Sequence, residues 1–385
     1  MVQEFILFAF SSLKQLQLLL FFLVLVAYII CVTGNIIIII LVRIEPLLQT
    51  PMYFFISTFA VLEIMFVTVS IPKLLDNLIS GNKRISFIEC FTQMFIFNGL
   101  GMTECYLLLV MAFDRDLAIN SPLRYSAIMR KEIYTQLAVA PWVGGFSMSS
   151  MTLIYMAQMK FCGPNQINHF ICDVAPLQNL SCSDPSMSKL STTIAAILAV
   201  VVPILIIITF YIHIINAISK IKGAEGKQKA FSTCSSHLIV TSLFFGSALV
   251  VYIRPTDRLE GENDKYLALI YTILTPLLNP FIYTLRNNDV KTAIRRLSNL
   301  YPPICSSLDS KPFPLGSNTC CPCSLSPLPP LFLFLSRYTH CPSFLPPTLP
   351  LSSFLPTSFP PPFFLSPSPL GPQHPFPYLP PLGVF

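Results

Sequence analysis

The 385-residue chain is 53% apolar and 11% charged, against about 25% charge in an ordinary soluble domain. That balance excludes one soluble core of this size and makes a bilayer the natural solvent. The net charge of +6 is accounted for by membrane topology, as set out below, and gives no case for a nucleic-acid partner.

Runs of about 20 mainly apolar residues cross a hydrocarbon core of about 30 Å. In chain order they lie near 18–42, 52–79, 90–119, 133–157, 190–216, 232–254 and 264–285. The first is longer than a signal-peptide core and reaches Arg43 without a small-residue cleavage motif, so it is expected to stay as a helix. With residues 1–17 placed outside, thirteen Lys/Arg residues, including Arg43, Arg115, Arg130, Lys131, Lys227 and Arg296, fall inside and nine outside. This excess supports that orientation.

The connection 158–189 is long and polar, and holds Cys162, Cys172 and Cys182. Together with Cys90 they face an oxidising compartment, where disulfides persist. Four cysteines allow three pairings, and spacing does not choose. Cys31, Cys105 and Cys234 fall within spans and read as packing residues.

After the last span, Val290, Ala293, Ile294 and Leu297 repeat at spacings of three and four, with Lys291, Arg295 and Arg296 off the stripe. Residues 286–300 therefore read as an interfacial amphipathic helix touching lipid. From 301 to 385 the composition changes: 23 of 35 prolines fall in these 85 residues. Neither a span nor a sheet is compatible with that, and the tail reads as disordered and partly polyproline-like, with a PxxP ligand as the sharper alternative.

Five motifs stand in order. They are Gly34-Asn35, Pro51-Met52-Tyr53-Phe54-Phe55, Met111-Ala112-Phe113-Asp114-Arg115-Asp116, Lys229-Ala230-Phe231-Ser232-Thr233-Cys234-Ser235-Ser236-His237-Leu238, and Pro276-Leu277-Leu278-Asn279-Pro280-Phe281-Ile282-Tyr283. Over residues 3–300 the chain resembles the odorant receptors among the G-protein-coupled receptors. The expected fold is an all-α membrane protein: a seven-transmembrane helix bundle over 18–285, with the interfacial helix and the proline-rich tail, which has no counterpart in that family.

From the residues alone, Asp114 beside Arg115 is a charge pair that an inner interface tolerates. Asn279-Pro280 loosens a helix and makes a hinge beside Tyr283. The resemblance implies that Arg115 is held at rest and turns to a G protein on activation, and that Tyr211 and Tyr283 stabilise the active state. The family usually has Tyr at Asp116, Cys at Asn120 and Ser at Phe210, so Asp116 is expected to strengthen the resting pairing.

Glu63 and Glu104 are acids deep in the spans, where a charge costs several kcal/mol. Adjacent carboxylates need a shared cation or proton; the alternative is two carboxyls protonated and hydrogen-bonded independently. The resemblance aligns both with a Na⁺ position. It also implies the disulfides Cys90–Cys172 and Cys162–Cys182. Asn179-Leu180-Ser181 is a glycosylation sequon.

Phe97, Asn98, Gly101, Met102 and Cys105 share one helix face by spacing. The resemblance points that face at the ligand, with Ala195, Ala196, Ala199, Phe245, Ala248, Tyr252 and Thr272. The set carries no charge and suits a small neutral volatile odorant, with Asn98, Tyr252 or Thr272 hydrogen-bonding it. The implied partner is a stimulatory G protein that raises cAMP, and the implied setting is the plasma membrane of sensory cilia. Two other readings are a poorly trafficked or non-functional receptor-like product and an ion- or proton-coupled transporter; for the latter no internal symmetry is visible. No enzyme is expected, since His169 and His213 stand apart from any nucleophile or metal arrangement.

Overall fold

A computed structural model describes residues 2–8, 10, 15–162, 164–252, 262–285 and 288–300. Inside its helices the side chains at 229, 233, 250–252, 262–264, 284–285, 288 and 297–300 are not described. The tail 301–385, and Arg254, Arg258 and Arg286, lie outside the described residues.

The helices are α1 Gln17–Ile44, α2 Pro51–Ser80, α3 Phe87–Asn120, α4 Pro122–Ile128, α5 Lys131–Ala157, α6 Val174–Asn179, α7 Ser186–Ala196, α8 Val202–Lys220, α9 Ala224–Tyr252, α10 Glu262–Leu285 and α11 Asn288–Leu300. Alpha-helical α7 runs through a π-helical turn, Ile197–Val201, into α8 as one membrane span. Six spans among the described residues are long and apolar enough to cross a bilayer. Helix α9 packs beside them against α3, α8 and α10, so the sixth apolar stretch joins the same bundle. Leu18, Leu19, Phe22, Leu23, Val26 and Ile29 are all more than half exposed on α1. Water would not tolerate such a surface, whereas lipid does.

Local chemistry sets the helix ends. Ser86 accepts from the Glu89 N–H at 3.2 Å, and Glu89 accepts in return from the Ser86 N–H at 3.0 Å, a capping box that starts α3. Pro51 opens α2, and Gly81, in the left-handed region at φ 68°, closes it. In the π-helical register the Leu198 carbonyl would look to the N–H of residue 203, which Pro203 lacks. Tyr106 Oη supplies the missing donor at 3.4 Å.

Glycines set how closely the helices approach. A Cβ on Gly145 would sit 2.7 Å from the Gly99 carbonyl oxygen and 2.7 Å from the Thr103 nitrogen, so α5 and α3 touch backbone to backbone there. A Cβ on Gly34 would meet Pro280 Cβ at 3.1 Å, placing α1 directly on the α10 hinge.

One element departs from the all-helical expectation. Glu4–Leu7 forms β1, which pairs antiparallel with β2 (Arg84–Ser86) and parallel with β3 (Gln166–Ile167), in the order β2-β1-β3. Phe5 and Leu7 point inward and are fully buried while Glu4 and Ile6 are half-buried, the period of two that a one-sided strand requires. Four residues are too few for that alternation to stand out in an apolar sequence.

Candidate functional site

The end of the bundle that carries the long connection 158–189 is stapled. Cys90 is bonded to Cys172 and Cys162 to Cys182. Gln93 braces the first staple: its Nε2 donates to the Val69 carbonyl at 2.9 Å and its Oε1 accepts from the Cys172 N–H at 3.0 Å. Phe10, beside β1, stacks on Phe170 of the long connection at 6.1 Å and meets Tyr266 of α10 at 5.3 Å. An apolar lid made of three chain segments thus covers the bundle. Asn179 is exposed at the end of α6.

Below the lid, the α3 face divides by burial. Phe97 and Cys105 are buried, and Asn98, Gly101 and Met102 are half-buried, with Asn98 Nδ2 donating to the Met94 carbonyl at 2.9 Å. Ala195, Ala199, Phe245, Ala248 and Thr272 are buried. Ala196 is exposed and does not share their surroundings, because it lies about 100° around the helix from Ala195. The side chain of Tyr252 lies outside the described residues.

Three residues that spacing did not single out tie these helices together. Phe66 of α2 stacks on Phe97 at 4.5 Å, Tyr271 of α10 meets Phe66 edge-on at 6.1 Å, and Phe244 of α9 reaches Tyr271 at 5.8 Å. Their only sequence signal was an aromatic inside an apolar run. The Thr272 hydroxyl is buried with no hydrogen-bond partner among the described residues. A buried, unmatched hydroxyl costs about 1–3 kcal/mol, so a ligand oxygen placed there would recover that cost.

Midway down, Asn279 Nδ2 donates to Glu63 Oε1. Glu63 Oε2, Glu104 Oε1 and Asn279 Oδ1 are buried without partners among the described residues. Of these, the Glu63 and Asn279 oxygens belong to one hydrogen-bonded pair, and a buried oxygen without a donor is one that a proton or a hard cation would satisfy.

At the other end of α3, Arg115 is paired with Asp114, and both are buried. Tyr125 of α4 donates to the second Asp114 oxygen at 2.7 Å. Burial, then the Asp114 carboxylate, pushes the Tyr125 phenol above its usual range, so it stays a donor. Asp116 does not turn to Arg115; it accepts from Asn120 Nδ2 at 2.7 Å. Tyr211 Oη lies 2.6 Å from His237 Nδ1, joining α8 to α9. Tyr283 is buried against Phe59, its hydroxyl unpartnered among the described residues. Helix α11 is held at this end by Tyr53 Oη donating to Asp289 Oδ2 at 3.0 Å and by Arg296 Nη1 at 3.4 Å from Glu45 Oε1.

A stapled outer lid, buried acids at mid-depth and a caged arginine at the far end of α3 define a seven-helix membrane bundle of the rhodopsin type. The crystal structure of squid rhodopsin matches it with a TM-score of 0.61 at 18% identity, over 76% of this chain and 88% of that one, which shows the fold. The olfactory receptor family model matches residues 23–299. Olfactory receptor 226 of Rattus norvegicus is 44% identical over 303 residues, spanning 78% of this chain and 93% of the rat protein. Olfactory receptor 10A2 of Homo sapiens is 45% identical over 289 residues, spanning 75% and 95%. The chain belongs to the olfactory receptor family: it is a multi-pass membrane receptor and not an enzyme.

Proposed function

We propose that this receptor binds small neutral odorants between α3, α7, α9 and α10, and that filling this region releases Arg115 to a stimulatory G protein that raises cAMP. The observation that carries the ligand reading is the unmatched Thr272 hydroxyl in a bundle whose buried neighbours are aromatic and aliphatic. A neutral ligand with one oxygen suits such a site, whereas a fixed charge would be desolvated without a counter-ion. The coupling reading is supported by the Asp114 and Tyr125 contacts, which withhold Arg115 at the inner end. The excess of Lys/Arg near that end supports an outside N-terminus.

Glu63, Glu104 and Asn279 would hold a sodium ion or shared protons at mid-depth, which neutralises the carboxyls and favours the resting arrangement. Glu63 and Asn279 join α2 to the hinge of α10, so a change in that contact bears directly on Tyr283.

The test expresses residues 1–300 and the full chain side by side, and reads surface level and cAMP against an odorant panel. Neutral odorants are expected to act on the wild type and to lose potency on Thr272→Val; activation by permanently charged odorants alone would overturn the ligand reading. For the cation, Glu104→Gln is expected to abolish a sodium dependence of activation, and a wild type insensitive to sodium would refute that part.

A further inference from the structure

We propose that Phe10 is the gate of the odorant chamber: strand β1 straps it into the lid, and its withdrawal sets which odorants enter and how fast. The inference deepens the site proposed above and rests on it.

Strand β1 is the central strand of its sheet, bonded along both edges. The Leu7 N–H donates to the Lys83 carbonyl and the Phe8 N–H to the Ile167 carbonyl, each at 2.8 Å. Asn165 Nδ2 donates to the Glu4 carbonyl at 2.7 Å, and Asn77 Nδ2 of α2 reaches the Leu7 carbonyl at 3.4 Å. Phe5 and Leu7 pack with Cys90 and Cys172, apart from the bundle core. Phe10 leaves that cluster and enters the bundle core, where it is 3% exposed. The strap thus delivers one aromatic ring into the bundle.

That ring closes on Phe170 and Tyr266. Tyr266 precedes Thr272 on α10 by less than two helical turns, about 9 Å along the axis. Phe97 of the proposed chamber belongs to the same apolar cluster as Phe10. The three lid segments are not equally fixed. The long connection is held by two disulfides and Tyr266 by its helix. Phe10 lies past the last backbone bond of the strap, with only a long 3.5 Å contact from Gln17 Nε2 on its carbonyl among the described residues. Its ring can therefore swing out and return while the sheet stays paired, a local opening rather than an unfolding. An aromatic gate passes neutral molecules and opposes a charge, which would cross it without a partner. Its bulk limits the length of ligand that the closed chamber takes.

The test treats the full-length receptor in detergent micelles with methyl methanethiosulfonate, a small neutral thiol reagent, and follows each cysteine by mass mapping. Cys105, buried on the proposed chamber face of α3, is the reporter. Cys234, buried at the Arg115 end beside Tyr211, is the internal control. Phe10→Ala is expected to speed Cys105 labelling at least about tenfold, equivalent to about 1.4 kcal/mol, with Cys234 unchanged. Phe10→Leu, which keeps an apolar plug, should stay close to the wild type. Asn165→Ala removes one strap bond and leaves the plug, so it should give a smaller gain of about fivefold. Equal Cys105 labelling in wild type and Phe10→Ala would overturn the proposal. Were Phe10→Ala to misfold, seen as Cys234 labelling rising in step, Asn165→Ala decides in its place, and no gain there would overturn it. A second arm reads cAMP against a graded series of linear aliphatic alcohols: Phe10→Ala should shift the preference to longer chains, and an unchanged preference would refute the role in selectivity. Thiol labelling needs no odorant, so a wild type that no neutral odorant activates counts against the proposed function, while the labelling result still judges the gate.

Discussion

Asn120 Nδ2 donates to Asp116 Oδ1 across one helical turn of α3, at 2.7 Å. These are the two positions near Arg115 at which the family resemblance implies Tyr and Cys instead. The extra acid is tied to the extra amide and leaves Arg115 to Asp114. An i,i+4 pair of this kind contributes about 0.2–0.5 kcal/mol. Asn120→Ala is expected to free Asp116 to compete for Arg115, raising the odorant EC50 for cAMP about twofold. The double variant Asp116→Tyr with Asn120→Cys should undo that rise.

Replacing Gly145 tests the contact of α3 with α5. Because a Cβ there meets backbone atoms at 2.7 Å rather than a movable side chain, Gly145→Ala should destabilise the bundle by about 1–3 kcal/mol. Thermal unfolding in detergent reads this as a lower Tm. Gly34→Ala, whose Cβ meets the Pro280 ring at 3.1 Å, should cost less.

Phe5 is fully buried in the outer cap and packs edge-on against Phe161 at 5.7 Å. Phe5→Ala should remove about 3 kcal/mol of packing, seen as reduced cell-surface level and faster proteolysis of the N-terminal segment. A charged Glu4→Lys change, on the other side of the strand, should be nearly silent, since Glu4 meets Arg84 only at an exposed 3.7 Å.

Gln93→Leu should leave the Cys172 N–H and the Val69 carbonyl without their present partners. A cost of about 1–3 kcal/mol per buried orphan is expected. The thermal transition should fall while both disulfides still form, which non-reducing mass mapping checks.

What the sequence made legible is what a bilayer imposes. The seven apolar stretches and the motif order could be read because span length and the polar breaks within spans are physical requirements. The aromatic chain Phe97, Phe66, Tyr271, Phe244 was not legible, since the rotation of one apolar helix against another leaves no periodic signal when every face is greasy. The same uniformity hid the exposure of Ala196. Helix α9 begins at Ala224, eight residues before its apolar stretch, because the Lys-rich turns ahead of it are helical but polar. The π-helical turn ahead of Pro203 lies inside an apolar run that shows no change of pattern, and β1 was too short to announce itself.

The most direct measurement is nucleotide exchange on a stimulatory G protein, with purified receptor in nanodiscs and a neutral odorant panel. Odorant-dependent exchange is expected with the wild type and should be lost in Arg115→Ala, while that variant still binds odorant. Equal exchange on Arg115→Ala and wild type would contradict the claim that a filled outer chamber signals by releasing this arginine.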